Sequence, residues 1–159
     1  MSNKVNSNNP VATALQEVLR AKYSLFLQKH NYHWNIEGAR FHSLHIMFEE
    51  QYNELFKAID VVAEHIRALG EYALPFEDET ILKYMTDLKN PLKEEDSAEK
   101  RSYMMVDNLI KLNNTVIDTC QKAKEAAVKA EDDETEDLMI ERITHHKEVI
   151  WMLTSINKK

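Results

Sequence analysis

From Phe41 to Leu69 the apolar residues recur at steps of three, four and seven: Phe41, Leu44, Phe48, Leu55, Ile59, Val62, Ile66 and Leu69. At ~100° of turn per residue they gather into one stripe, the pattern of a helix with a single core-facing side. Gly38 precedes this helix and Gly70 stops it, which predicts a span from about residue 40 to 69. Upstream, Asn9-Pro10 has the form of a helix start, with Asn as cap and Pro in the first turn. That helix is expected to reach about Asn35, with Leu15, Val18, Leu19, Leu25 and Phe26 on its apolar side. After Gly70 comes a connector over residues 71–96, punctuated by Pro75 and Pro91. Within it, ETILKYMTDLK predicts one short amphipathic helix behind a Thr80 or Asp78 cap. A third long helix, capped by Asp96 or Ser97, carries Met105, Leu109, Leu112, Val116, Cys120 and Ala123 to about Ala130. The last, about 133–156, opens on the acidic run EDDETED. It sets Met139, His146, Val149, Leu153 and Ile156 on one face with Trp151 beside them. No strand pattern, low-complexity segment or internal repeat interrupts this reading.

A connector of that length lets the third helix return from the far end of the second. Four long helices with one long connection predict an all-α, ferritin-like four-helix bundle, with a short extra helix between the second and third helices. One domain over residues 9–157 is expected, behind a Ser/Asn-rich tail over residues 1–8. The length of 159 residues suffices for a proper core, and only two Gly and three Pro suit long helices. The net charge of −7 argues against general nucleic-acid affinity. Cys120 is the single cysteine, so there is no intrachain disulfide framework and a reducing compartment is expected. On its apolar series it reads as a small buried hydrophobe. The opening MSNKVNSNNP lacks the apolar segment of a signal peptide, and no run approaches a membrane span, so a cytoplasmic protein is expected.

The second helix also carries metal-ligand chemistry. Taking His45 as origin, Glu49, Asp60 and Glu64 fall at roughly 40°, 60° and 100°. They share a stripe about 125° from the apolar one. His33 lies twelve residues before His45, across Gly38. His45 and Asp60 are ~22 Å apart along a straight helix, too far to hold one ion. A second copy of the helix, antiparallel about a twofold axis, removes the difficulty. The pairs 45/64 and 49/60 share one midpoint, so His45 would face Glu64 of the other copy, and Glu49 would face Asp60. Tyr52, Phe56 and Ala63 border the stripe and would pack across the axis. Two equivalent sites ~22 Å apart result, each built by both subunits. Carboxylate oxygen holds both Fe(II) and Fe(III), and imidazole suits Fe(II). The same set would accept Zn(II) or Co(II).

HWNIEGARFHSLHIMFE resembles the first signature of the Dps family, the mini-ferritins known as DNA-binding proteins from starved cells, through His33, Trp34, Gly38, Leu44, His45 and the acid Glu49. IDVVAEHIRALGEYA resembles the second, with Asp60, Ala63, Glu64 and Gly70 in place. One departure is His65, where the family usually has Arg. The resemblance implies a hollow homododecamer with ferroxidase sites at its twofold interfaces. Their ligands would be His33, His45 and Glu49 of one subunit with Asp60 and Glu64 of its neighbour. It also implies oxidation of Fe(II) by hydrogen peroxide, the preferred oxidant, or by oxygen, storage of Fe(III) mineral in the cavity, and protection of the cell and its DNA.

Other residues carry two readings each. Trp34 is either an electron donor near the iron or an interface aromatic. His30 and His42 flank the ligands as auxiliary ligands, supporting groups or plain surface. Asp133, Glu134, Glu136, Asp137 and Glu141 either complement the helix dipole or line a threefold pore that draws in Fe(II). Glu50 and Glu54 would nucleate mineral if they face the cavity, and are otherwise a solvated face. Glu141, His145 and Glu148 form either a second metal site or ordinary helix surface. A ferritin with its di-iron site inside one bundle needs Glu-x-x-His pairs, and the chain has none. The alternative is a DNA-compacting structural protein with secondary iron binding. Against it, the first nine residues hold only Lys4 as a basic group, and the end only Lys158 and Lys159. Direct DNA binding is therefore expected to be weak or absent at neutral pH.

Overall fold

The computed structural model describes residues 8–73, 76 and 79–159. Four long helices carry the fold: α1 (Pro10–Asn35), α2 (Phe41–Ala68), α4 (Ala98–Lys129) and α5 (Asp133–Ile156), with a single-turn α3 (Pro91–Glu94) in the connection. Among the described residues there is no strand. The starts follow capping chemistry. Asn9 Oδ1 accepts from Val11 N at 2.9 Å, with Pro10 in the first turn. Ser97 Oγ accepts from Lys100 N at 3.2 Å, and Asp132 Oδ1 from Thr135 N at 3.0 Å.

α1 packs on α2 and α4, and α4 on α5. α1 and α5 lie diagonally across the bundle. α2 and α5 are tied by side chains: Arg142 to Glu54, His145 to Glu54, and His65 to Thr135. The core is the union of the apolar stripes, including Leu15, Val18, Leu19, Leu25, Leu44, Phe48, Leu55, Val62, Met105, Leu109, Cys120, Met139 and Leu153. Cys120 is buried among them, as expected of a small hydrophobe.

The α1–α2 turn positions the histidines. Gly38 has φ +89, and a Cβ there would meet Ala98 Cβ at 3.2 Å, so both backbone conformation and α4 favour glycine. Arg40 then locks the turn to the far helices. Its guanidinium donates to Ser102 Oγ at 3.1 Å, Ile156 O at 3.0 Å and Asn157 Oδ1 at 3.0 Å, and it lies over the Tyr103 ring.

Several expectations need correction. The connector does not form an amphipathic α-helix over ETILKYMTDLK; it forms a 3₁₀ turn over Glu79–Leu82 followed by turns. A segment this short cannot sustain an α-helix by itself, and its groups are bound to α1 instead. Ser24 Oγ donates to Ile81 O, Tyr84 Oη donates to Glu17, and Lys83 Nζ donates to Glu17 at 2.9 Å. Pro75 and the Asp78 cap lie outside the described residues, as does the tail except for Asn8. Phe41 is not core: it is exposed and stacks on His45, with ring centroids 4.7 Å apart. Phe26 is only half-buried, and Trp151 points outward.

Glu54 links α2 to α5 and is not a free surface acid. Arg142, 7% exposed at its side chain, donates to both its oxygens, at 2.5 and 3.0 Å, and His145 Nε2 lies 2.9 Å away. Burial pushes the Glu54 carboxyl up, but hydrogen bonds from His145 and Arg142 and their charges outweigh it and hold the carboxyl at about 2. Its stabilising contribution is present above the ordinary value of 4.5 and is lost as pH falls toward about 2. Glu54→Gln should lower the unfolding free energy at pH 7 by about 2 kcal/mol, less than for a wholly buried pair because Glu54 is part-exposed. Denaturant midpoints at pH 7 and pH 3 check this, the gap being smaller at pH 3.

Candidate metal centre

His33 sits in the last turn of α1 and His45 near the start of α2. Their rings stack, with centroids 3.8 Å apart and planes 15° from parallel. The bonding is reciprocal: His33 Nδ1 lies 2.8 Å from His45 O, and His45 Nδ1 lies 2.8 Å from His33 O. Carbonyl oxygen only accepts, so each ring carries a proton on Nδ1, which leaves Nε2 as the nitrogen that can ligate. The His33 carbonyl is one of the last in α1, where no intrahelical donor remains, so the His45 ring also satisfies a helix end. The result is two imidazoles locked in tautomer and orientation, as metal-ligating histidines require.

The carboxylates lie elsewhere on the same helix. Glu49 is exposed one turn beyond His45, and burial together with its charge pushes the Tyr52 phenol up. Tyr52 sets its ring edge against His33 at 5.2 Å. Asp60 and Glu64 are exposed one turn apart near the other end of α2. Among the described residues, no group of three or more His, Cys, Asp and Glu side chains closes around one point in a single chain. The structure therefore pairs His33 with His45 and leaves Asp60 and Glu64 apart from them.

The face between these groups is apolar and uncovered. Trp34 is 62% exposed and Phe56 65%, while Phe41 is also exposed. Half-buried Tyr52 and Ala63 fill the space between them. The His30 ring packs tilted against Trp34 at 4.1 Å and Tyr52 at 4.8 Å, which makes it part of an aromatic cluster with Phe26. His42 is exposed. His65 points the other way, with Nε2 2.7 Å from Thr135 Oγ1. That hydroxyl donates to Asp132 Oδ2, so it accepts from His65.

At the opening of α5, Asp133, Glu134, Asp137 and Glu141 are exposed and Glu136 is half-buried. Asp133, Glu134 and Glu136 occupy the first turn, where carboxylates complement the helix dipole. In the Glu141, His145 and Glu148 group, His145 is engaged by Glu54.

Sequence reasoning overlooked the polar interior. Lys22, Lys29, Gln51, Asn108, Asn113 and Arg142 are all buried. The signal was present: Lys22 and Lys29 continue the spacing of Leu15, Val18 and Leu25, and Arg142 stands between Met139 and His146.

A ferritin-like domain family matches residues 12–159. An uncharacterized low temperature-induced protein of Nostoc sp. is 31% identical over 91% of this chain and 78% of its own length. DNA protection during starvation protein 2 of Bacillus anthracis is 30% identical over 92% of this chain and 95% of its own length. The crystal structure of a Dps protein from Vibrio cholerae, described as a ferritin-like diiron-carboxylate protein, superposes with a TM-score of 0.76. It shares 28% identity and covers 93% of this chain and 89% of its own. On the matching domain family and these relatives, the chain belongs to the Dps family of ferritin-like proteins.

Proposed function

We propose that this protein is a mini-ferritin ferroxidase whose metal sites are each shared by two subunits. The observation that carries the reading is the reciprocal His33–His45 pair. Two stacked imidazoles, each with Nδ1 committed to a carbonyl, leave Nε2 as the ligating atom, while Asp60 and Glu64 wait ~22 Å or more along α2. A second copy, antiparallel across Tyr52, Phe56 and Ala63, brings the partner's Asp60 and Glu64 to His33, His45 and Glu49. It also covers Trp34, Phe41 and Phe56.

The donor set suits iron as substrate. Carboxylate oxygens tolerate both oxidation states, and the imidazoles hold Fe(II) with their tautomers set by backbone carbonyls. Two Fe(II) give one electron each to one hydrogen peroxide, which takes up two protons and leaves as two waters. Trp34, exposed beside His30, would pack at the interface, with electron donation as the alternative role. Twelve chains are proposed to close a shell in which Fe(III) collects as mineral, protecting the cell and its DNA. Asp133, Glu134, Asp137 and Glu141 would line the opening that admits Fe(II). Support for iron comes from the diiron-carboxylate relative, and support for protection from the starvation-protection relative. Zn(II) would compete for the same ligands.

The test is Fe(II) oxidation followed by absorbance, with and without hydrogen peroxide. His33→Ala/His45→Ala should slow it by about a hundredfold or more with the shell intact. An unchanged rate would refute the site. A DNA-compacting role would need clustered basic charge, and each chain carries −7. Plasmid mobility should be unshifted by the protein at about pH 7.5 and 150 mM salt. A clear shift would favour the DNA-binding reading.

A further inference from the structure

The bundle axis holds a second cluster of chemistry, away from the exposed face. His146 of α5 is 1% exposed, and its Nδ1 lies 2.8 Å from Asn113 Oδ1. The Asn113 amide nitrogen donates to Leu109 O at 2.7 Å, which fixes the amide so that Oδ1 is the atom facing His146. An amide oxygen only accepts, so His146 is protonated on Nδ1 and turns its Nε2 lone pair toward the axis. A buried imidazole held this way is prepared to ligate a metal. The interior of a four-helix bundle is also where paired carboxylate metal sites are built.

Here the lone pair meets a nitrogen instead. Lys22 Nζ, reaching diagonally from α1, lies 2.9 Å from His146 Nε2, and Lys22 is wholly buried. Burial pushes Lys22 from 10.5 to about 7, and an N–H remains to donate in either protonation state. Charges of both signs lie around it. Lys29 is a second buried amine on α1, and Arg142 lies one turn before His146 on α5. Glu54 faces them from α2, but its oxygens are committed to Arg142 and His145. The Glu141 charge reaches Lys22 from α5, and the buried Cys120 thiol faces it from α4.

We infer that Lys22 closes the interior of this bundle to metal ions. Its nitrogen takes the coordination position that His146 offers. Iron handling is thereby confined to the α1–α2 face. The inference takes that consequence from the proposed function, but its test does not depend on it.

Co(II) is the probe, read by its visible ligand-field bands and by calorimetric stoichiometry on the assembled protein at pH 7. The background is His33→Ala/His45→Ala, which removes the imidazoles of the exposed face. In it, no Co(II) binding that depends on His146 is expected. Adding Lys22→Glu should create one Co(II) site per chain, lost again with His146→Leu. Lys22→Gln, close in length and carrying an amide oxygen, should give weaker Co(II) binding that also depends on His146. Circular dichroism and melting curves establish that each variant is folded; if Lys22→Glu does not fold, Lys22→Gln carries the test. Co(II) held in the background with Lys22 intact, and released by His146→Leu, would overturn the inference. So would a folded Lys22 variant that still takes up no Co(II) at His146. Failure of the exposed-face reading has a separate signature: Co(II) uptake unchanged between the native protein and the background.

Discussion

Mixing His33→Ala/His45→Ala chains with Asp60→Ala/Glu64→Ala chains, after dissociation and reassembly, should restore Fe(II) oxidation to about a quarter of the native level, although each parent alone is slowed far below that. The fraction follows from symmetry. Random pairing makes half the dimers mixed, and each mixed dimer assembles one intact site and one lacking every substituted ligand. A site built within one chain would give no rescue, because every chain in the mixture is defective. Fast Fe(II) absorbance traces on shells of verified size measure the outcome. Absent rescue in correctly assembled shells would eliminate the shared site. The structural basis is the separation along α2: His45 is locked to the end of α1, and Asp60 lies fifteen residues further on a continuous helix. No rotamer change brings Asp60 and Glu64 back to His33 within one chain.

Lys29→Met should raise the unfolding free energy at pH 6 by ~2–4 kcal/mol, an effect that fades toward pH 10. Burial pushes the Lys29 amine down from 10.5 to about 7; the nearby Glu54 charge opposes this, and the Lys22 and Arg142 charges add to it. Between those values the unfolded chain holds a proton that the folded chain has released. Stability therefore rises with pH across that window, and it falls again as pH drops toward about 7. Below it, the folded protein carries a charged amine in a low-dielectric core. Methionine has a similar unbranched stem and no charge, so it removes the penalty while keeping the packing. Guanidinium midpoints at pH 6, 8 and 10 measure the effect. The native curve should rise with pH, and the variant should rise by roughly half as much because Lys22 remains. A variant less stable than the native protein at pH 6 would contradict the prediction.

The connector shows where local pattern stops being informative. Its eleven-residue amphipathic run has helical spacing, but Ser24, Glu17 and Tyr84 bind it to α1 as turns. Phe41 and Phe48 show a similar limit. They occupy one stripe by spacing, yet Phe48 is fully buried and Phe41 is exposed against His45. Position along α2 relative to the ends of the neighbouring helices separates them, and periodicity carries no such information. Lys22 and Lys29 fail in the opposite sense, since residue type predicts surface and spacing predicts core. Spacing prevails because α1 is packed on both sides by α2 and α4.

The order, bounds and polarity of the four long helices were determined by local chemistry: caps at Asn9 and Ser97, a stop at Gly70, and apolar residues in helical step. The positions of His45, Glu49, Asp60 and Glu64 on one stripe turned from the core were determined in the same way, because helix geometry converts spacing directly into direction. Only the tertiary structure decided that His33 and His45 bond to each other's carbonyls, that Glu54 answers Arg142 rather than solvent, and that Lys22 meets His146 at the bundle axis. Those pairings join residues from different helices. They depend on interhelical distance and rotation, which the packing of all four apolar stripes sets together and no single segment encodes.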